Sequence, residues 1–446
     1  MSDQLPAFVS SYWECDAGGE ILVGGLPIST IVGRHGTPVF VYDRSSLKRK
    51  YAALRRVLPE RFSICYSVKA NPNLAILEFF LEKGCGLEIA SAGEFQLARK
   101  AGCAPANIIF AGPGKTEFEL EVVMGNGIGE IHAESRLEIE RVSTLGRKLG
   151  VRTRVAVRVN PTEDALGGAM QMGGKSSPFG VDEESLEPLL HRIAEDSQLA
   201  FQGIHLFVGT QILDCRVLLD QYRRAVEIAR RAAAILSLPI HALDFGGGLG
   251  IPYFPGESEL DLDELQHGLS KLMTDIARER CFVDTKFSVE PGRFLVGEAG
   301  IYVTRVNDIK TSRHKTYLIL DGGMNHHLAA SGNLGQVIRR NFPIAVLNRF
   351  DAPAMEVFDI VGPLCTPLDT LGRGVRLPQV EVGDLIGIFQ SGAYARTASP
   401  LGFLSHPAPA EVWVADGQDF LIRRSSNLED SFSDIVLLKP AAAQAS

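Results

Sequence analysis

Lys69 is the residue of this sequence whose setting points most directly to chemistry. It ends an apolar run in the segment YSVKANPN (66–73), which predicts a lysine at the end of a strand. Crowding and dehydration there would lower the pKa of its amine and make it a nucleophile able to form a Schiff base with a carbonyl compound. On this segment alone, a lysine whose charged end reaches solvent is an equally good interpretation.

A glycine-rich turn, DFGGGLG (244–250), follows another apolar strand. Successive glycines allow backbone N–H groups to approach a phosphate closely, although a tight turn without a ligand would use them too. The late strands of a (β/α)₈ barrel commonly end at a phosphate site, so the position of this turn favours the phosphate interpretation.

Two further segments carry side chains that could react. Glu290 and Arg293, in EPGR (290–293), end a strand, where a buried carboxylate can hold a proton on a ring nitrogen and an arginine can bind an anion. A Glu–Arg pair on the surface is the alternative. Cys365, in GPLCTPLD (362–369), is a candidate reactive thiol or a buried structural cysteine, and the segment alone does not decide between them.

These residues have to be positioned by an α/β fold. Between residues 38 and 295, short apolar runs alternate with amphipathic stretches, beginning VFVYD, SSLKRKYAALRRVL and SICYSVKA, and the pattern predicts a parallel (β/α)₈ TIM barrel. Residues 296–440 alternate with a period near two between turn residues and predict a mostly antiparallel C-terminal β domain. A strand-like run at 20–32, within residues 1–37, is expected to join that β domain.

Composition argues against several classes of protein. The 446-residue chain is 45% hydrophobic, enough for a large core, and its net charge of −8 argues against nucleic acid as a partner. The cysteines include no CxxC pair, so we expect no disulfide framework and a reducing, cytoplasmic location. The N-terminus lacks the parts of a signal peptide and no long apolar window occurs, so we expect no membrane association. The adjacent His326 and His327 would point to opposite faces of a strand, so we expect no metal site.

Seven segments, taken in order, resemble the fold type III pyridoxal-phosphate-dependent decarboxylases, the group that holds ornithine, diaminopimelate and some arginine decarboxylases. The segments are YSVKANPN (66–73), GLEIASAGE (86–94), GIHLFVGTQ (203–211), DFGGGLGIPY (244–253), EPGR (290–293), GPLCTPLD (362–369) and SGAY (391–394). The resemblance runs from about residue 20 to 430. It implies the fold of that group, an alanine racemase-like barrel followed by a β domain.

The resemblance implies a cofactor, pyridoxal 5'-phosphate, attached to Lys69 as a Schiff base with Glu290 beside its pyridine nitrogen. Further residues would surround the cofactor: Gly209, Thr210, Gly246, Gly247, Gly248, Gly292, Arg293 and Tyr394 would hold its phosphate, Glu88, Ser91 and Glu94 lie in the segment lining its ring, and Phe207 would cover the face of that ring. The resemblance also implies a homodimer with shared active sites, in which Cys365 of one chain protonates the product carbon at the site of the other.

The chemistry of such an enzyme assigns a task to each of these groups. Loss of carbon dioxide from an α-amino acid leaves a carbanion, whose electron pair the cofactor ring accepts. Glu290 would favour the protonated ring, because an anion within hydrogen-bonding range stabilises the pyridinium form. A proton must then return to the α-carbon, either from Cys365 or from Lys69.

Three positions depart from the pattern of the group and bear on the substrate. The residue after the cysteine is an acid in the ornithine and diaminopimelate enzymes, where it reads a distal ammonium, but it is Thr366 here, which suits a neutral distal group. The arginine with which the diaminopimelate enzymes bind a second carboxylate corresponds to Ala329. The ring-stacking histidine is replaced by Phe207, which keeps an aromatic face without a proton. We expect Thr366, Asp369 and Tyr394 to contact the substrate.

Further segments resemble a subgroup of these decarboxylases. GPLCTPLD (362–369), DGGMNHHLAA (321–330) and SPLGFLSHP (399–407) together are similar to the subgroup that includes the decarboxylase of a γ-glutamyl unit on an acyl carrier protein in butirosin biosynthesis and exosortase-associated relatives. A tethered glutamate has a free α-amine and α-carboxylate, and its distal end is a neutral thioester. Arg339 and Arg340 would then meet a phosphopantetheine or an acidic carrier protein, or else form a solvated basic turn.

The leading hypothesis is a pyridoxal-phosphate-dependent decarboxylase of an amino acid, either free or tethered to an acyl or peptidyl carrier protein. Diaminopimelate, ornithine or arginine as a free substrate stays open if Asp369 replaces the missing acid. A racemase on the same barrel is a rival enzyme, although it would not be expected to carry GPLC and SGAY together. The last alternative is a catalytically inactive regulator, which has no reason to retain Lys69, Glu290 and Cys365.

Overall fold

The computed structural model describes residues 5–162, 170–171, 176–334, 336, 338–436 and 438. An N-terminal unit comes first, consisting of α1 (Ala7–Ser10), β1 (Glu14–Cys15), β2 (Ile21–Val23), β3 (Leu26–Pro27) and α2 (Ile28–His35). Its three strands form a small antiparallel sheet. The chain continues with β4 (Val39–Asp43) and α3 (Arg44–Val57).

Eight parallel strands then close into a barrel, as the sequence pattern predicts. The strands between residues 62 and 289 are β5 (Phe62–Ser67), β6 (Gly86–Ile89), β7 (Ile108–Phe110), β8 (Glu130–Ala133), β9 (Thr153–Asn160), β10 (Met170–Gln171), β11 (Val181–Asp182), β12 (Leu199–His205), β13 (Gly209–Thr210), β14 (Ala242–Asp244) and β15 (Lys286–Val289). All except β10, β11 and β13 form the barrel wall, and β15 pairs with β5 to close it.

Helices cover the outside of this barrel. They are α4 (Leu74–Glu82), α5 (Ala92–Lys100), α6 (Glu117–Gly125), α7 (Arg136–Leu149), α8 (Leu186–Ala194), α9 (Cys215–Leu236), α10 (Leu262–Ile276) and the short α11 (Arg293–Val296). Several begin at a side chain that accepts a free backbone N–H of the first turn, such as Asp43 at α3, Ser135 at α7 and Asp214 at α9. These caps define the helix starts, and hence the length of the loops in which functional residues lie.

A second, mostly antiparallel sheet follows the barrel. Its strands are β16 (Gly300–Ser312), β17 (Lys315–Leu320), β18 (Ile344–Val346), β19 (Glu356–Val361), β20 (Thr370–Leu377), β21 (Leu385–Ile388), β22 (Ala410–Ala415) and β23 (Gln418–Arg423). They lie in the order β20-β19-β17-β16-β4-β22-β23, and β21 pairs with both β16 and β18. The predicted α/β barrel followed by a β domain is therefore confirmed.

The strand VFVYD, which the sequence pattern assigns to the barrel, belongs instead to this second sheet. β4 is antiparallel to β16 and parallel to β22. Phe40 and Tyr42 on one face contribute to the large core shared with the barrel, whereas Val39 and Val41 on the other contribute to a core shared with the N-terminal unit. A strand buried on both faces has the same continuous apolar sequence in either sheet, so the pattern could not distinguish them.

The run at 20–32 also differs from its expectation. It forms β2, β3 and part of α2, and it joins the second sheet by side-chain packing rather than by strand pairing. The strand that does join that sheet, β4, lies just beyond residues 1–37. We therefore propose that the barrel unit begins at α3 rather than at residue 38, and that the β unit extends over 296–440 and includes β4; the limit at 440 lies outside the described residues.

The barrel and the second sheet meet at Gly297 and Gly392. Gly392 donates its N–H to the carbonyl of Gly297 at 2.9 Å, and Tyr394 of the same segment donates its N–H to the carbonyl of Ala70 at 2.8 Å. A Cβ on Gly392 would stand 1.8 Å from the carbonyl oxygen of Val296. Backbones this close leave no room for a side chain, so the packing requires glycine at position 392.

Replacement of this glycine is expected to loosen the junction. Gly392→Ala should lower the free energy of unfolding by about 1–3 kcal/mol or more, because the new methyl group has to displace the backbone at residue 296. Urea denaturation measures the change. Gly402→Ala is the matched control: its φ is −84° and no atom lies within 4 Å of the new Cβ, so stability should stay the same or rise by up to about 1 kcal/mol. Equal midpoints for the two variants would contradict the steric explanation.

Candidate active site

A cavity of about 910 Å³ lies at the carboxyl ends of the barrel strands. Lys69 follows β5, Glu88 lies in β6, His205 ends β12 and Glu290 follows β15, and all four side chains line this cavity. Segments far apart in the sequence meet there because parallel strands of a barrel end on the same face. Seven of the site residues predicted from the sequence line this cavity: Lys69, Glu88, Phe207, Thr210, Glu290, Arg293 and Tyr394.

Lys69 lies against Glu88 on the floor of the cavity. Its Nζ donates to both carboxylate oxygens, at 3.0 and 3.2 Å, and Ser67 donates a further hydrogen bond to the same carboxylate. Desolvation is the largest single effect on Lys69 and lowers its pKa, but the negative charges of Glu88 and Glu290 and the hydrogen bond to Glu88 act together against it, so the pKa of this amine is raised. Burial likewise raises the pKa of Glu88, but the charge of Lys69 and the hydrogen bonds from Ser67 and Lys69 together lower it overall.

The lowered lysine pKa expected from the sequence is therefore wrong for this structure. The cause is the pairing of β5 with β6, which sets Ser67 opposite Glu88 and brings a carboxylate beside the amine. A single segment cannot show which acid its neighbouring strand supplies. The side chain of Lys69 remains 42% exposed, which leaves its amine open to a ligand in the cavity.

Glu290 is a buried carboxylate with unused hydrogen-bonding capacity. Its Oε2 lies 3.3 Å from Nε2 of His205, and its Oε1 has no hydrogen-bond partner among the residues that the structure describes. Burial and the charge of Glu88 raise the pKa of Glu290. A protonated ring nitrogen would supply both a donor and a positive charge, so this site fits the pyridine nitrogen of a cofactor.

The glycine turn is shaped by close backbone contacts. Gly246 and Gly248 have φ values of +65° and +96°, which other residues adopt at a cost. A Cβ on Gly247 would stand 2.6 Å from the carbonyl oxygen of Glu290, and one on Gly248 would stand 2.9 Å from that of Gly209. The turn thus requires glycine, and it packs against Phe207 and Glu290, two residues that line the cavity.

Arg293 supplies a positive charge near this turn. Its Nη1 donates to the hydroxyl of Tyr253 at 2.9 Å, and its guanidinium lies 4.7 Å from the ring centre of Tyr394. Its Nε is buried and has no hydrogen-bond partner in the described part of the chain. An arginine held by two neutral tyrosines rather than by a carboxylate retains the capacity to bind an anion, and this fits a phosphate.

Phe207 and Thr210 also line the cavity, while Gly209 packs behind the glycine turn. The ring of Phe207 lies 5.6 Å from the guanidinium of Arg158, whose Nη1 is paired with Glu134 at 2.7 Å. Arg158 is buried and lines the cavity, and the sequence analysis missed it. Its signal is a charged residue inside the apolar strand RVAVRVN, where an inward-facing arginine must have a buried partner.

Several expected site residues lie elsewhere in this chain. Ser91 caps α5 by accepting the N–H of Glu94 at 3.1 Å, and Glu94 in turn accepts the N–H of Ala90 at 2.7 Å. Asp369 is buried and accepts the backbone N–H groups of Met324 and Leu364 at 2.7 and 2.8 Å. These hydrogen bonds support the loops, and the expected contact of Asp369 with the substrate stays a prediction.

The loop that carries Cys365 and Thr366 does not line the cavity of its own chain. Cys365 is exposed and Thr366 is half-buried. A role for either residue at an active site therefore requires a second chain, and it remains a proposal.

The mouth of the cavity is formed by the segment after β17. Ala329 and Arg340 line it, and the guanidinium of Arg340 stacks 3.7 Å from the ring centre of Phe254 and pairs with Glu257 at 3.1 Å. Arg339, also expected at the mouth, instead donates to backbone carbonyl oxygens, including that of Leu368. Of the two arginines, Arg340 therefore lines the cavity and Arg339 does not.

The adjacent histidines, His326 and His327, are both buried. They form hydrogen bonds with Tyr302 at 3.0 Å and with Ser391 at 2.9 Å, respectively. A different group, His132, His205 and Glu290, brings three possible metal-ligand atoms within 4.8 Å of one another.

In the described part of the chain, no helix is long and apolar enough to cross a membrane.

Known proteins share this arrangement. The family described as pyridoxal-dependent decarboxylase, pyridoxal binding domain, matches residues 44–297. The chain is 37% identical over 406 residues to the L-glutamyl-[BtrI acyl-carrier protein] decarboxylase of Niallia circulans, a match that covers 90% of this chain and 94% of that protein. It is 34% identical to the diaminopimelate decarboxylase of Aquifex aeolicus over 92% of this chain and 94% of that protein.

Solved structures agree with the sequence matches. The crystal structure of diaminopimelate decarboxylase from Helicobacter pylori, complexed with L-lysine, superposes with a TM-score of 0.82 at 30% identity and covers 91% of this chain and 98% of its own. Because the family match includes every barrel strand and the two relatives are covered almost completely, the chain belongs to the pyridoxal-dependent decarboxylases, and its cofactor is pyridoxal 5'-phosphate.

Proposed function

We propose that this decarboxylase removes the α-carboxylate of an amino acid whose distal end is neutral, and that the substrate is a glutamyl unit held as a thioester on a carrier protein. We propose further that it works as a homodimer in which each cavity is completed by the Cys365 loop of the other chain. The observation that carries the substrate proposal is that none of the described residues lining the cavity offers an unpaired charge for a distal group.

The acidic residues of the cavity are all engaged. Among the described residues that line it, the carboxylates are Glu88, Glu257 and Glu290. Glu88 holds Lys69, Glu290 faces the cofactor nitrogen, and Glu257 is paired with Arg340 and also accepts two backbone N–H groups. A distal ammonium buried without its own anion would be strongly unfavourable, which argues against free lysine-like substrates.

The described lining of the cavity also lacks a free positive charge for a distal carboxylate. Ala329 lines the cavity at the position where the diaminopimelate enzymes have an arginine, and Arg340 is already neutralised by Glu257. The remaining described lining at the mouth is uncharged: Leu213, Phe254, Leu334, Gln336, Ile338 and Phe342. A second carboxylate, as in free glutamate or diaminopimelate, would thus find no counter-charge, whereas a thioester requires none.

The comparisons support the same substrate class. The relative at 37% identity is named for an L-glutamyl group on an acyl carrier protein. The cavity volume of about 910 Å³ is at the upper end of the usual range for small-molecule sites, which suits a cofactor together with an extended substrate. Ile338 at the mouth is 77% exposed, so the distal end of the cavity is open to solvent and to a carrier.

The geometry assigns a task to each residue in catalysis. Pyridoxal phosphate, when bound, accepts the electron pair left by the departing carbon dioxide. With the cofactor bound, Glu290 would hold a proton at the ring nitrogen, the glycine turn and Arg293 would bind the phosphate, and Phe207 would shield one face of the ring from water. Lys69 would carry the cofactor, and its free amine, held by Glu88, would return a proton to the α-carbon. Cys365 of a second chain is the other possible acid.

The substrate proposal predicts a sharp preference. The value of kcat/KM for a glutamyl-loaded carrier protein should exceed the values for free diaminopimelate, ornithine, arginine and glutamate by about a hundredfold or more, since a buried unpaired charge costs several kcal/mol. Mass spectrometry of carbon dioxide loss measures each rate. Comparable turnover of any free basic amino acid would overturn the proposed specificity and leave the decarboxylase activity intact.

Shared active sites predict complementation between two inactive chains. Lys69→Ala and Cys365→Ala homodimers should each lose most activity, whereas a mixture that has exchanged subunits should regain up to about a quarter of the wild-type rate, because half of its dimers contain one intact site.

The matched control is a mixture of Lys69→Ala with Glu290→Gln. Both changes affect the barrel side of a site, so every site in the mixed dimer stays defective and no activity should return. Failure of the first mixture to regain activity after proven subunit exchange would show that Cys365 does not act across the dimer.

A further inference from the structure

Two buried histidines extend from Glu290 into the barrel. We propose that His132 and His205 are positioning residues, which hold Glu290 as an oriented anion so that the proton between this carboxylate and the cofactor nitrogen stays on the nitrogen. The inference rests on the cofactor and on the family, and it does not depend on which amino acid is the substrate.

The four side chains form a continuous row across three parts of the barrel. Glu130 and His132 lie in β8, His205 ends β12, and Glu290 follows β15. His132 Nε2 is 3.0 Å from Glu130 Oε1, the two Nδ1 atoms of the histidines are 2.9 Å apart, and His205 Nε2 is 3.3 Å from Glu290 Oε2. His132 and His205 are fully buried.

A single cation in this row satisfies every contact, and either ring could carry it. An Nδ1 to Nδ1 contact at 2.9 Å needs one donor and one acceptor. If His132 is an imidazolium, it donates to Glu130 from Nε2 and to His205 from Nδ1. His205 is then neutral with its single proton on Nε2, the atom that faces Glu290. In the reverse assignment the cation is on His205, which donates to His132 from Nδ1, so the choice between the two depends on the charges around each ring.

The electrostatic surroundings favour the cation on His132. Burial lowers the pKa of His132, but the hydrogen bond and charge of Glu130, together with the charges of Asp244 and Glu290, raise it to about 9. Burial and the neighbouring charge of His132 lower the pKa of His205 far below its ordinary range. Asp244 is itself fixed by the N–H of Gly246 and the hydroxyl of Ser288, both at 2.7 Å.

The row has two consequences for Glu290. His205 Nε2 lies 3.3 Å from Oε2 and His132 Nδ1 lies 3.8 Å from Oε1, so the two rings flank the carboxylate and hold its orientation. The cation on His132 lies 3.8 Å from Oε1 and opposes transfer of a proton from the ring nitrogen onto the carboxylate, which would otherwise be favoured by burial. A metal ion at His132, His205 and Glu290 would require both nitrogens of the Nδ1 to Nδ1 contact to part.

The first test measures the protonation state of the ring itself. In the holoenzyme loaded with cofactor labelled with ¹⁵N at the pyridine nitrogen, the ¹⁵N signal of His132→Gln should move toward that of unprotonated pyridine, and kcat should fall about tenfold or more while KM changes little. An unchanged ring signal would overturn the proposal, even if activity were lost.

The control is a histidine that is equally buried but outside the row. His326→Gln removes a hydrogen bond to Tyr302 from a residue whose pKa burial lowers to about 4, so it removes no charge. It should reduce stability and leave the ¹⁵N signal of the ring in place. If both variants moved that signal alike, the effect would reflect loosening of the fold, and the proposed role of His132 would be wrong.

A measurement without any variant covers the case in which His132→Gln does not fold. In wild-type holoenzyme labelled with ¹⁵N-histidine, one imidazolium and one neutral Nε2–H imidazole should share a resolved coupling between their Nδ1 atoms at neutral pH. Two neutral rings, or a coupled pair with the cation on the other member, would refute the assignment.

Discussion

The site depends on how acids buried at the end of a parallel barrel are compensated. Glu88, Asp244 and Glu290 are all at most 6% exposed, and desolvation alone would drive each toward its neutral form. Lys69 compensates Glu88, and His132 and a protonated ring nitrogen lie on either side of Glu290. Each charge comes from a different strand or from the cofactor, so the closed barrel rather than any one segment creates the active site.

The sequence was informative where a residue type was unusual for its position. A lysine or a glutamate at the end of an apolar strand is unusual, and so are three successive glycines in one turn. The residues with these signals, Lys69, Glu290 and Gly246–Gly248, all lie at the cavity or beside it. Residues inside the strands gave weaker signals. His132, His205 and Arg158 face inward from β8, β12 and β9, and their roles depend on partners that only strand pairing brings near.

The errors have the same physical origin. The pKa of Lys69 was expected to be low because dehydration can be read from one segment, whereas the carboxylate of Glu88 comes from the next strand. β4 was assigned to the barrel because a strand buried on both faces has the same continuous apolar sequence in any sheet. In each case the missing information is the identity of a neighbour distant in sequence.

The floor of the cavity is charged, whereas the described lining of its mouth has no unpaired charge. This division explains why the two departures from the diaminopimelate pattern, Thr366 and Ala329, occur together. A distal ammonium needs an acid and a distal carboxylate needs an arginine, and a buried member of either pair is costly when its partner is absent. A chain that had lost only one of them would retain an uncompensated charge at the mouth. Here Thr366 and Ala329 are both neutral, and Arg340 is balanced by Glu257. The charges at the mouth therefore suit a neutral distal group that passes through it. The charged floor then acts only on the α-carbon end, which every amino acid shares.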